Sequence, residues 1–553
     1  DLRMSRGLGD VYKRQAHILS GREGVAMRQS YLKNAALLTG SDVVLRLAGM
    51  GLRIYLANAL GGEGMGLYQL VLAVYSLFVT LATAGVSAAS TRLMAEELAG
   101  RPARARGMLA RLCAAALGLG CAAMAGQWLL APVAARWWLG DARAAAALRA
   151  AAFGMPFMAV SAVLRGFFVA RQRVGPNVAS QMVEQAFRIG VMAAALELTE
   201  GRDAGVRCAV VLGATAASEA VSALLMAAFC RREAPRAFGH DRAEAPLHAG
   251  RRLWEILWPV GGGRCVASAL HTAENMLVPA CLTVYLGQRS AAVSQYGVLK
   301  GMALPLVNFP FGLLGSLGVL LMPEIARACL RRDSRRLEIL LGRMVKLTMY
   351  VSALAGAAFW VWGRPLAAAL YGSSEAGAYL EILAPAMPLL YLESMVDGAM
   401  KGLGEQKAAF RYSVWDSILR IAGVAVLLPR LGMRGFLLVM ILSSLFTCAA
   451  NTRQMLASAG LRPDWAGWLA GPVFAAGAAA LAGWGLRRAL AVPLAGSRWM
   501  QLAAVAAGGA GMCAVCLAAG WPLGLGAELR EACLPRRAAK ETGGKPESSG
   551  HQL

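Results

Sequence analysis

The chain has 553 residues, of which 57% are hydrophobic and only 16% charged, and 56 Lys+Arg against 32 Asp+Glu give it a net charge of +24. Apolarity sustained along nearly the whole length excludes a soluble globular enzyme of this size, and solidly apolar rather than alternating segments exclude a membrane β-barrel. The basic residues cluster in alternate links, at 92–111, 165–173, 231–252, 327–346, 401–411 and after 530, which is the positive-inside pattern of a multi-pass helical membrane protein and not a nucleic-acid surface.

Residues 1–26 are polar and are read as a non-native or disordered extension, with the native start at Met27. Six spans are predicted near 34–59, 65–90, 107–131, 145–170, 176–199 and 205–230, making a first lobe over 27–230. A cytoplasmic linker, 231–252, leads to six more spans near 254–286, 291–323, 340–363, 377–402, 408–429 and 433–457, a second lobe over 253–458. Two further helices, near 466–487 and 499–521, occupy 459–522, and the polar tail 523–553 is expected to be disordered. Each span has roughly the 20 residues that crossing requires. The expected fold is therefore all-α: a polytopic membrane protein of about fourteen transmembrane helices, in two pseudo-symmetric six-helix lobes plus two C-terminal helices. The basic links place both termini in the cytoplasm.

The doubling is visible in particular residues. At an offset of 228, Tyr68 matches Tyr296, Met94 matches Met322 and Glu96 matches Glu324. At an offset of 232, Met155-Pro156 matches Met387-Pro388, Gly166 matches Gly398, and the pair Glu184/Arg188 matches Asp416/Arg420. Six spans per half make the repeat parallel, about an axis along the membrane normal, which in transporters puts substrate between the halves.

Charges inside apolar helices are the candidate functional residues, because they are costly there unless they face a partner or a watery cavity. In the first span Arg46 and Arg53 lie seven residues apart, roughly on one face. Arg46 sits about 18 Å in from Asn34, near mid-bilayer. The two suit an anionic ligand; the competing reading has Asp42 neutralise Arg46 and Arg53 reach out to the interface. In the seventh span, Pro259 and Gly261-Gly262-Gly263 predict a kinked or broken helix. Arg264 follows as a cavity candidate. His271, Glu274 and Asn275 share a face further on, either as a cation or proton site or as interhelical hydrogen-bonding groups, the second being preferred for His271. Lys300 in the eighth span is a further inward-facing candidate. Glu393 and Asp397 form another four-residue pair, and Asp397, at the repeat position of Arg165, is expected to pair with it across the halves as a gate. Glu184–Arg188 and Asp416–Arg420 have two open readings, as struts between helices or as contributors of positive potential.

No phosphate-binding loop, metal-ligand cluster or nucleophile–base arrangement is present in the sequence, and the outer links are short, so neither enzyme activity nor a cofactor nor a metal is expected. The eleven Cys are scattered, mostly within apolar segments, and read as small hydrophobes.

Five segments carry a family resemblance: SYLKNAALL at 30–38, RLAGMGLRIYLANALGGEGMGLYQ at 46–69, ATAGVSAASTRLMAEE at 82–97, RGFFVARQRVGPNVASQMVEQAFRI at 165–189 and YGVLKGMALPL at 296–306. With its GxEGxGLYQ and RQxxxPxxxSQxxEQxxR patterns, the chain resembles the stage V sporulation protein B-like polysaccharide-export family, over about residues 28–520. That family lies within the multidrug/oligosaccharidyl-lipid/polysaccharide flippase superfamily, alongside the lipid II flippases. The resemblance implies fourteen helices, two lobes around a cationic cavity and alternating access. Arg46, Arg53 and Arg264 fit that cavity by position. Lys300 departs from the small or polar residue usual in the family. The function expected is a flippase for a lipid-linked saccharide, plausibly an undecaprenyl-pyrophosphate precursor, in the bacterial cytoplasmic membrane. Membrane lipids and cell-wall synthesis proteins are the expected partners. A drug/cation antiporter of the same superfamily, a membrane enzyme of polysaccharide assembly and a non-transporting scaffold are the alternatives.

Overall fold

The computed structural model describes residues 22–100, 102–238, 249–490 and 496–526, all of them in helices or short connections. The N-terminal residues up to 21, the centre of the expected linker (239–248) and the tail from 527 lie outside the described residues.

The first element, α1 (Arg22–Thr83), is 62 residues long and carries the first two predicted spans as one run, broken only at Gly61 (φ 68, ψ −175). That conformation lies in the left-handed region open to glycine, so the chain reverses there with no intervening loop. Next come α2 (Val86–Gly100), α3 (Pro102–Val133), a π-helical turn (Ala134–Trp138), α4 (Ala144–Ala152), α5 (Met155–Ala170), α6 (Gly175–Leu198) and α7 (Ala204–Phe238). The second half follows with α8 (Ala249–Leu286), α9 (Arg289–Gly297), a π-helical segment (Val298–Ala303), α10 (Leu304–Leu330), α11 (Ser334–Tyr371), α12 (Ser374–Leu383), a 3-10 turn (Ala384–Ala386), α13 (Met387–Gly402), α14 (Gln406–Leu431) and α15 (Met433–Ala459). The helices α16 (Trp465–Ala489) and α17 (Arg498–Gly520) complete it.

Helix starts are marked by capping side chains. Asp333 accepts from the Arg336 amide at 3.0 Å, Ser373 from Ala376 at 3.2 Å and Asp464 from Gly467 at 3.0 Å, each satisfying an amide with no intrahelical partner. The sequence repeat has a structural counterpart. The fourth predicted span breaks just before Met155-Pro156 and the tenth just before Met387-Pro388, because proline's missing N–H fits only a first helical turn.

The link 231–252 is helical as far as Phe238 and again from Ala249, since its Ala-, Arg- and Glu-rich ends favour helix. One expectation is corrected. The seventh span is not broken: α8 runs through Pro259 and the glycine run as one helix of 38 residues. The glycines serve close packing instead. A Cβ on Gly261 would come within 3.2 Å of the Ala84 carbonyl oxygen, and one on Gly263 within 3.4 Å of the Phe410 ring.

Eight helical stretches among the described residues are long and apolar enough to cross a membrane. The first of these stretches holds two predicted spans, and the segments on α6, α8, α9–α10, α12–α13 and α14 fall outside the set, so a count of fourteen spans depends on including those five.

Candidate functional site

The intramembrane charges separate into a network inside each half and a set of arginines outside those networks. In the first half, Glu184 on α6 receives Arg188, one turn along the same helix, at 2.5 Å, and Arg165 from α5 at 2.9 Å. Arg188 also donates to Glu219 (3.1 Å) and to the Ser218 hydroxyl (3.0 Å), both on α7. Arg165 donates to Ser222 at 3.1 Å, and Ser222 shares a 2.8 Å hydrogen bond with Ser180. Glu184, Glu219 and the three serines are buried. Two acids face two bases, the arrangement that allows buried charge to persist.

In the second half, Arg420 on α14 lies 3.5 Å from Asp416 and donates to Ser443 of α15 at 2.8 Å. Asp416 accepts from Thr447 at 2.9 Å and also from Ser443. Arg420 further reaches Glu274 of α8 at 3.6 Å, and His271 stands 3.8 Å from the same carboxylate. Tyr296 donates to Asn275 at 3.1 Å. Lys300, in the π-helical segment, stacks over the Phe436 ring at 5.9 Å and lies within electrostatic reach of Glu274 and Arg420.

The expected pairing of Arg165 with Asp397 is not formed. Arg165 is engaged by Glu184 and Ser222 in its own half, and Asp397 pairs with Lys401, one turn along α13, at 2.5 Å.

Arg46, Arg53 and Arg264 behave differently. All three are exposed and make no ion pair or hydrogen bond among the described residues, and Asp42 does not pair with Arg46. Arg46 points into the other half, where Gly312 of α10 leaves it room: a Cβ there would lie 2.5 Å from its guanidinium. Arg53 lies within electrostatic reach of Tyr68 in its own half and Tyr371 in the other. Arg264 follows the glycines of α8 that pack on Ala84 on one side and Phe410 on the other. Arg53 and Arg46 lie about 12 and 22 Å along their helix from the turn at Gly61, and Arg264 about 34 Å along α8 from the turn at Gly287, by the helical rise per residue. By that rise the three stand at different levels along their helices, with Arg46 and Arg53 reaching toward the other half.

At the end of the bundle away from the basic links the halves are in close contact. A Cβ on Gly66 would fall 2.0 Å from the Val293 carbonyl oxygen, and one on Gly297 would fall 2.2 Å from that of Gly62. Arg289 donates to the Leu139 carbonyl, and Asn58 to that of Leu370 at 2.8 Å.

Residues not singled out in the sequence complete the networks. Glu219 was open to view as a lone acid in an Ala-rich helix. Ser218 and Ser222 recur as Ser443 and Thr447, each 225 positions later, so their pattern was also available. The surface cluster in which Arg143 binds Glu63 (2.7 Å), Asp141 (2.8 Å) and Asp203 (3.2 Å) had no such signal. Its members come from three separate connections.

Two paired halves, each enclosing buried charge within long apolar helices, make a polytopic helical fold. The profile of the polysaccharide biosynthesis protein family matches residues 31–328, and the chain belongs to that family. It is 26% identical to stage V sporulation protein B of Bacillus subtilis (strain 168) over 420 residues, covering 75% of this chain and 81% of that protein. It is 28% identical to the lipid II flippase MurJ of the same organism over 172 residues, 30% of this chain and 32% of that one. Among solved structures, it superposes on the lipid II flippase MurJ in an inward closed conformation with a TM-score of 0.66 at 11% identity, covering 88% of this chain and 98% of that one. It matches an inward-facing multidrug resistance MATE family transporter of the MOP superfamily with a TM-score of 0.58 at 13% identity, covering 76% and 100%.

Proposed function

We propose that the protein moves a lipid-linked oligosaccharide, of the undecaprenyl-pyrophosphate type, across the bacterial cytoplasmic membrane by alternating access, with both termini in the cytoplasm. The observation that carries this reading is the contrast between paired and unpaired charge. The cluster charges within each half have partners, whereas Arg46, Arg53 and Arg264 stand exposed and unpaired among the described residues. Guanidinium groups match phosphate oxygens in charge and geometry, so an uncompensated ladder of three suits a pyrophosphate passing from one level to the next. The closed glycine seam at the outer end and the names of the relatives support the same reading. The polyprenyl tail stays in lipid while the halves rock about the substrate.

The test is a flipping assay in proteoliposomes with Arg46→Ala/Arg53→Ala/Arg264→Ala. A loss of tenfold or more in rate is expected, as roughly 1.4 kcal/mol or more of phosphate contact disappears. Undiminished transport would overturn the arginine assignment.

A further inference from the structure

A cleft of about 60 Å³ opens where α10 meets α11, at the basic end of the second half, lined by Glu324, Arg327, Ala328, Arg331 and Arg336. Three guanidinium groups surround one carboxylate there. Arg327 and Arg331 stand one turn apart at the end of α10, and Arg336 enters from the first turn of α11 after the short connection 331–333. Glu324 meets Arg336 only at 3.7 Å. Arg327 uses its Nε on the Pro323 carbonyl at 3.2 Å, which leaves both terminal nitrogens free to bind. Arg331 has no partner among the described residues.

The repeat supplies a control within the same molecule. Glu96, the counterpart of Glu324, is closed off by protein: it binds Arg92 at 3.0 Å and Arg252 at 2.6 Å, while Glu97 takes the other arm of Arg252 at 2.8 Å. Ala99 stands at the repeat position of Arg327. The second half thus has arginine at one repeat position where the first has alanine, and its glutamate lacks the close ion pairs of Glu96. Arg335 and Arg336 also lie in the first turn of α11, where the helix dipole disfavours cations. An anion in the cleft relieves that repulsion. Leu330 (76% exposed) and Ile339 (51% exposed) leave apolar surface on the same two helices, which suits a ligand having both a phosphate and acyl chains.

We propose that this cleft binds the phosphodiester headgroup of an anionic phospholipid in the cytoplasmic leaflet, at a site separate from the transport path. Basic pockets at helix ends near that surface attract such lipids at a strength of about fivefold in affinity per arginine.

The test uses the full-length protein in nanodiscs of phosphatidylglycerol or phosphatidylcholine, with retained lipid counted by native mass spectrometry. The wild type is expected to hold one phosphatidylglycerol that R327Q/R331Q/R336Q loses, while R231Q/R232Q keeps it. The single substitutions are expected each to weaken retention about fivefold, which keeps the proposal testable should the triple variant fold poorly. Equal retention by the wild type and the single variants would overturn it, as would equal loss in R231Q/R232Q. Displacement of the lipid by millimolar inorganic phosphate would overturn the lipid assignment in favour of a soluble anion.

Discussion

In the first half, Glu184 and Arg188 find their partners on α5, α6 and α7, all in the same half. In the second, Asp416 and Arg420 take Ser443 and Thr447 from α15 but reach on to Glu274 of α8. That helix is also attached to the first half at three levels. Arg252 binds Glu96 and Glu97, Gly261 packs on Ala84, and Thr272 donates to the Ala73 carbonyl at 3.0 Å. One charge network therefore stabilises a half, and its counterpart ties a half to the helix that joins it to the other. Residues that align in the repeat have diverged in what they hold together.

The sharpest way to break that comparison is Glu184→Ala. It leaves Arg165 without its acid partner and Arg188 with Glu219 alone, in a site where the carboxylate side chain is only 12% exposed. A loss of about 3–5 kcal/mol is expected, measured as a fall in the melting temperature of the detergent-solubilised protein. Unchanged melting would mean that the first network is not a strut. Gly66→Ala is next. Its new methyl would collide with the Val293 backbone, at about 1–3 kcal/mol for overpacking. Spin labels at positions 58 and 289 should report a wider outer end, and an unchanged distance would remove the seam from the account of closure. Glu274→Gln should cost less, about 1–2 kcal/mol, because Arg420 keeps Asp416 and Ser443. Its expected signature is a transport defect larger than its stability defect, and the reverse would make the second network another strut.

Arg143→Ala at the surface should have the smallest effect, under about 1 kcal/mol, since all the partners are in reach of water. Hydrogen bonds to Asp141 and then Glu63 raise the Arg143 pKa, and the Gly205 amide, followed by Arg143, holds the Asp203 carboxyl below its usual range. The Asp203 contribution is therefore present above about pH 4 and lost as the pH falls further. Melting curves between pH 7 and pH 3 should show a smaller acid-induced drop for the variant than for the wild type. Equal drops would remove Arg143 from the acid response and leave the Gly205 amide as what holds the Asp203 carboxyl down.

The helical class and the doubling were legible because apolar length and repeated Met-Pro, Tyr and acid–base positions are local properties. The paired charges were legible for the same reason, being one turn apart on one helix. What joins elements distant in sequence was not. Nothing local to Glu274 announces Arg420, 146 positions away, and Arg165 was matched to Asp397 by repeat position when α6 brought Glu184 nearer. The break expected in the seventh span failed for a related reason. Glycine reads as a helix breaker when its surroundings are unknown, but against Ala84 and Phe410 it is the residue that lets helices touch.

That continuous α8 is about 57 Å long at the helical rise per residue. Arg264 and Glu274 lie ten residues apart on it, about 15 Å. The stretch between them holds neither glycine nor proline, so the two charges are fixed to one uninterrupted length of helix and a shift at the level of Arg264 is carried to Glu274.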